Sequence, residues 1–293
     1  MIALAGGARA VNRYVLALFS KDIAWRLVTV AAFGILVGMG QSAGIGAVLP
    51  IIATAAVACA VWQVVRLRVR GTSLAQPSRA SLDHAYLSGS ATIAVSMLAV
   101  VALGTLDVIV VGAWVSPDAA AAYFPANRLA LLAAFATLPI QMVVEQRFAA
   151  SLAVDDRAGG QRSANAATAL QFVLCAPLGA ATVIGFPFYA GLFPTATATS
   201  FQVLVVLVAG TVLGSLFGMA GSILLMSGHQ APFARVNFVC ACLAALILAL
   251  VASYGSLTSI AFAIAGVELL RKAILAVMAY RRTGLLPFAK VGL

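Results

Sequence analysis

The sequence predicts an all-α integral membrane fold, a polytopic helix bundle of about eight transmembrane helices. Three observations predict it. First, 63% of the residues are apolar and 9% charged, against roughly 45–50% and about 25% in soluble domains, so lipid is the solvent that fits the composition. Second, the chain divides into eight apolar stretches, each near the ~20 residues that cross about 30 Å of hydrocarbon. Third, most Lys and Arg gather before the first stretch, after the last, and in or beside alternate connections, with Arg128 breaking the pattern from inside a stretch. This asymmetry is the positive-inside signature. It places both termini on the cytoplasmic side of the cell's inner (plasma) membrane.

Residues 1–20 mix apolar residues with Arg9 and Arg13 and read as an interfacial amphipathic helix. The spans follow at 27–46, 48–65, 86–115, 119–144, 165–188, 200–227, 233–254 and 257–280. All should be helical, because lipid satisfies no backbone group. Arg66, Arg68, Arg70 and Arg79, with Gly71, Ser73 and Pro77 as breakers, mark a cytoplasmic loop over 66–85. Arg147, Asp155, Asp156, Arg157 and Arg162 mark the connection after the fourth span. His229 and Arg235 flank the turn after the sixth, and Arg281, Arg282 and Lys290 form a basic tail. The opposite connections, Ser116–Asp118, Tyr189–Thr199 and Tyr254–Ser256, carry no Lys or Arg. The organisation is therefore 1–65 (amphipathic segment and two helices), the 66–85 loop, and 86–293 (six helices and the tail).

Net charge is +10, but the basic residues flank spans, so they read as anchors toward anionic headgroups and not as a nucleic-acid surface. Cys59, Cys175, Cys240 and Cys242 lie in apolar stretches without metal-site spacing and read as small hydrophobes. No nucleophile elbow, zinc helix or phosphate-binding Gly-Lys-Ser/Thr loop is present. Neither an enzyme, nor a metal, nor a cofactor is expected. His84 and His229 sit at loop edges, where a surface role is expected.

Ionisable residues at membrane depth carry the candidate chemistry, since lipid makes them expensive. Asp107 lies eight residues before the outer end of its span and Arg128 nine residues into the next. At 1.5 Å per residue both fall roughly 12–14 Å below the outer surface, so the two are expected to pair. The pair reads either as a structural tie or as an anion site in which Asp107 sets the availability of Arg128; alternatively, Arg128 snorkels to the interface. Asn127, Leu131, Ala134, Leu138, Gln141 and Glu145 follow helical steps of four and three and should share one face. Cavity lining and polar interhelical contact both explain it. Glu268 precedes Arg271 and Lys272 by three and four residues, the spacing of a self-neutralising triplet; the alternative is a carboxylate that takes up an ion. Gly34 and Gly38, and Gly210, Gly214, Gly218 and Gly221, suggest close helix packing. Pro125, Pro139 and Pro177 should bend their helices.

The segment DVIVVGAWVSPDAAAAYFPANRLALLAAFATLP (107–139) resembles the first hairpin of a lobe in polysaccharide flippases of the multidrug/oligosaccharidyl-lipid/polysaccharide superfamily. Asp107, Gly112, Tyr123, Ala126 and Arg128 match the habit of an acid, a Gly, then Tyr-x-x-Ala-x-Arg, while Ala121 stands where the family has Gly. The likeness runs on through LLMSGHQAPFARVN (224–237) and YRRTGLLP (280–287). It implies two six-helix lobes around a cavity open alternately to either side. Spans three to eight would be the second lobe and spans one and two the last helices of the first, four helices being absent. The implied function is translocation of lipid-linked oligosaccharide or polysaccharide precursors. In it Arg128, Asn127 and Gln141 would bind substrate, and Asp107, Glu145 and Glu268 would form ion pairs or couple an ion. Lipid bilayer, a lipid-linked sugar, further copies of the chain and polysaccharide-assembly proteins are the implied partners. Drug or cation antiport and a non-transporting membrane scaffold are the alternatives.

Overall fold

The computed structural model describes residues 24–38, 50–55, 57–59, 61, 62, 65, 84–135, 137–191, 197–253 and 256–286. The chain divides into two compact units, Met1–Leu82 and Asp83–Leu293. In the first, helix α1 (Trp25–Gly38) covers the early part of the expected first span, and a helical stretch at Pro50–Cys59 covers part of the second. A methyl on Gly34 would meet nothing within 4 Å, so the close packing expected there is not formed. The amphipathic segment over 1–20, Arg66, Arg68, Arg70, Arg79 and Lys290 lie outside the described residues.

The second unit runs through α2 (His84–Leu103), α3 (Leu106–Val110), a π-turn (Val111–Val115), α4 (Pro117–Phe135), α5 (Thr137–Ala153), α6 (Arg157–Ile184), α7 (Phe186–Ala190), α8 (Ala198–Ser215), α9 (Ala220–Met226), α10 (Gln230–Ala252) and α11 (Leu257–Thr283). Among the described residues every regular element is helical, and the fold is an all-α bundle. Its helix ends are written in polar residues. Asp156 accepts from the Gly159 amide to start α6, Thr197 and Ser200 form a reciprocal capping box on α8, and Ser256 caps α11. Gly284, at φ 71°, closes α11 in the left-handed conformation that glycine adopts without strain.

The expected third, fourth and sixth spans are each interrupted. The Thr105 hydroxyl bonds back to the carbonyls of Val101 and Ala102, a habit that bends helices. The segments Ala91–Leu103 and Leu106–Val115 diverge there by 54°. The fourth span breaks between Phe135 and Thr137, where Pro139 has no N–H to offer the Phe135 carbonyl. The sixth breaks after Ser215, and Gly218 turns the chain at φ 56° before α9 resumes. The expected glycine ridge is therefore split. A methyl on Gly210 would come 2.9 Å from Ala265 Cβ, so α8 and α11 touch closely, whereas Gly221 faces Phe233 of α10. The connection after the fourth span is also tighter than expected. Helix extends to Ala153 and restarts at Arg157, with Asp155 at φ 52° in the turn.

α2 packs along α10, and α8 sits among α4, α6 and α11. The larger core joins α3, the π-turn, α4, α8, α10 and α11 around Tyr123, Leu204, Leu248 and Ile260. A smaller one gathers Phe148, Leu224, Phe233 and Leu275. The turns sort to two ends. At one, the Ser200 hydroxyl donates to the Ala122 carbonyl and Phe186 stacks on Phe201. At the other, the Gln161 amide bonds both the N–H and the C=O of Leu286. Three helices (α6, α8, α10) are long and apolar enough to cross a membrane, and the bent pair within 91–115 makes a fourth. Much of the outer surface is bulky and apolar: Leu98, Trp114, Ile184, Phe188, Leu246 and Phe262 are all exposed.

Candidate functional site

One of the helix breaks opens onto a cavity. Phe217 and Gly218, from the break between α8 and α9, and Ala220, Gly221 and Ser222, at the start of α9, face Gln141 and Glu145 of α5. Arg271, Lys272 and Leu275 of α11 close the site, and Met97 and Val100 of α2 add an apolar wall. Together they enclose a cavity of about 420 Å³, within the range of small-molecule sites. The lining is mostly apolar with a few charged and amide groups, and interrupted helices around such a cavity are a form that binding sites take in membrane transporters.

The polar groups here are held with differing firmness. Arg271 donates through Nη2 and Nε to Glu268 Oε2, at 2.7 and 3.1 Å, and through Nη1 to Asn237 Oδ1 at 2.9 Å. A guanidinium offers only donors, so the Asn237 amide must turn its oxygen to Arg271 and its NH2 away. That NH2 donates to Ser96 Oγ at 2.9 Å, and both Asn237 and Ser96 are wholly buried. α2, α10 and α11 are thus tied by one directed chain that fixes the arginine, whose side chain is 11% exposed. Lys272 differs. Its chain lies over Gly214, where an added methyl would come 2.6 Å from Nζ. Among the described residues Lys272 makes neither a hydrogen bond nor an ion pair, for the ion pairs formed are Arg271–Glu268 and Arg157–Asp155. Glu145 accepts from the Ser222 hydroxyl at 2.6 Å and has no cation within ion-pair distance. Gln141 makes no hydrogen bond among the described residues.

A second polar cluster lies in the larger core. Asp107, 2% exposed, accepts from the Tyr123 hydroxyl at 2.9 Å, the Asn127 amide at 2.5 Å and the Val108 N–H at 2.9 Å. The expected pair of Asp107 with Arg128 is not formed: Arg128 is exposed and lies over the Phe124 ring, 4.7 Å from its centroid. The reason is angular. Neighbouring residues on a helix point about 100° apart, so Asn127 faces Asp107 and Arg128 cannot.

The candidates therefore separate. Gln141 and Glu145 meet in the cavity, Glu268 stands behind it on Arg271, Asp107 and Asn127 form the buried cluster, and Arg128 lies on the surface. The single face expected from Asn127 to Glu145 is not continuous, because the helix breaks in the middle and Leu131 is exposed. The triplet is half right: Arg271 pairs with Glu268, and Lys272 enters the cavity. Sequence reasoning missed Ser96, Asn237 and Ser222, and it named Tyr123 only as part of the hairpin pattern, without its bond to Asp107, although Tyr123 lies one turn before Asn127 on the same face. His229 is half-buried, contrary to the surface role expected. Among the described residues its Nδ1 and the Ser227 hydroxyl have no partner, and both residues line a smaller cavity of about 180 Å³. Cys59, Cys175 and Cys240 are buried and Cys242 exposed. No group of metal-ligating side chains occurs among the described residues.

Compared with protein-family models, with curated proteins and with solved structures, the chain matches none.

Proposed function

We propose that this chain is a multi-pass membrane protein that translocates a lipid-linked oligosaccharide or polysaccharide precursor by alternating access. It would lie in the inner (plasma) membrane with eight spans and both termini cytoplasmic. The observation that carries the reading is the cavity at the break between α8 and α9, with Arg271, Lys272, Gln141, Glu145 and Ser222 on its wall. In a bundle whose outer surface is bulky and apolar, charged side chains on an interior wall are expensive unless something polar uses them. The resemblance around Asp107–Pro139 supplies the substrate class.

In this reading Arg271 and Lys272 attract the diphosphate of the lipid carrier, and Gln141 and Ser222 offer hydrogen bonds to sugar. Arg128, the first choice on sequence, holds the exposed surface of α4. The break between α8 and α9 supplies a hinge about which α9 moves. The test is flipping of polyprenyl-diphosphate-linked sugars in vesicles holding the purified protein. Arg271→Ala/Lys272→Ala should lose flipping while Arg128→Ala keeps it, and unchanged flipping by the double variant contradicts the reading.

One observation favours cation or drug antiport instead: Asp107 carries no arginine and holds only neutral donors. Under that reading Asp107→Asn, a near-isosteric change, abolishes transport and an imposed ion gradient drives it. Under the flippase reading Asp107→Asn lowers stability and leaves gradient dependence unchanged.

A further inference from the structure

The cavity presents charges of both signs that the chain leaves unpaired. Arg271 is matched by Glu268, so its charge is largely neutralised within the protein. Among the described residues Lys272 has no carboxylate within ion-pair distance. Glu145, on the facing helix, has one oxygen on the Ser222 hydroxyl and, among the described residues, no cation. Glu145 and Lys272 line the same space without touching.

A carboxylate inside a site meant only for an anion would repel it. The arrangement makes chemical sense if the ligand carries both charges. We propose that the cavity takes a zwitterion: a phosphate that meets Lys272, seconded by Arg271, and an ammonium that meets Glu145. Gln141, whose amide has no partner, completes the recognition between them. This deepens the transport reading and rests on it. Two ligands present such chemistry in a bilayer, a lipid-diphosphate-linked sugar with a free amino group and an ethanolamine phospholipid headgroup. The saccharide is the one that the transport reading requires. Glu145 then determines specificity, because N-acetylation removes the ammonium and leaves the rest of the sugar in place.

The experiment uses the full chain in nanodiscs of phosphatidylglycerol. Affinities are measured for polyprenyl-diphosphate-linked glucosamine, its N-acetylated counterpart and added phosphatidylethanolamine. The expected result is binding of the amino form about tenfold tighter than the acetylated form, the size of one charge-assisted hydrogen bond. Glu145→Gln should abolish that preference with little change for the acetylated form. Glu145→Asp, which keeps the charge, should preserve the order of affinities. Equal binding of both sugars by the wild type, or a preference that survives Glu145→Gln, overturns the inference and leaves the transport reading standing. Phosphatidylethanolamine bound through Glu145 while neither sugar binds upholds the zwitterion and removes the saccharide reading. Binding of none of the three overturns both.

Discussion

The Asp107 cluster and the cavity on α5, α9 and α11 are both polar islands in an apolar bundle, yet they are finished differently. Around Asp107, three donors converge on one carboxyl group and each finds its acceptor. Around Glu145 and Lys272, each charged group is left at least partly unmatched. The breaks beside them differ as well. The bend next to Asp107 is filled in by Thr105 and a π-turn, whereas the break between α8 and α9 opens onto space. Polar residues that satisfy one another hold a fold together; polar residues left waiting hold something else.

The largest effect should come from breaking the closed cluster. Asp107→Ala leaves the Tyr123 hydroxyl and the Asn127 amide buried without acceptors, at about 1–3 kcal/mol each. The melting midpoint of the purified protein should fall further for this variant than for Tyr123→Phe, which removes one bond and strands fewer groups. In the cavity the order reverses. Arg271→Ala/Lys272→Ala should weaken binding of a polyprenyl-diphosphate sugar by more than about tenfold. Its midpoint should fall less than that of Asp107→Ala, although Glu268 and Asn237 lose their partner.

The glycines of α8 sharpen the contrast further. Gly210→Ala presses on Ala265, whose Cα lies 3.5 Å from the new methyl, so helices must part at a cost of about 1–3 kcal/mol. Gly214→Ala meets the far end of Lys272, which has room to swing. It should spare stability and shift ligand affinity. The smallest effect belongs to Arg128→Ala: an exposed stacking contact worth about 0.5–1 kcal/mol, with affinity unchanged.

These contrasts also mark what could be read from the chain beforehand. The helical bundle was legible, because composition and long apolar runs report it directly. So was the Glu268–Arg271 pair, which depends only on spacing within one unbroken helix. Depth arithmetic placed Asp107 level with Arg128, but level is not azimuth, and Asn127 rather than Arg128 faces the acid. The face from Asn127 to Glu145 assumed a continuous helical phase, and the division of the span into α4 and α5 cancelled it. Pro139 was the visible warning. Asn237 and Ser96 carried no signal at all, since each becomes meaningful only when α2, α10 and α11 come together.

Where a diphosphate-bearing lipid sits in the protein decides the central claim. A polyprenyl-diphosphate sugar carrying a diazirine on the sugar can be photolysed in proteoliposomes and the labelled residues mapped by mass spectrometry. Labelling concentrated on the stretches holding Gln141, Glu145, Ser222 and Lys272, and suppressed in Arg271→Ala/Lys272→Ala, is the predicted result. Labelling confined to the exposed face of α4 around Phe124 and Arg128, indifferent to that double substitution, would contradict it.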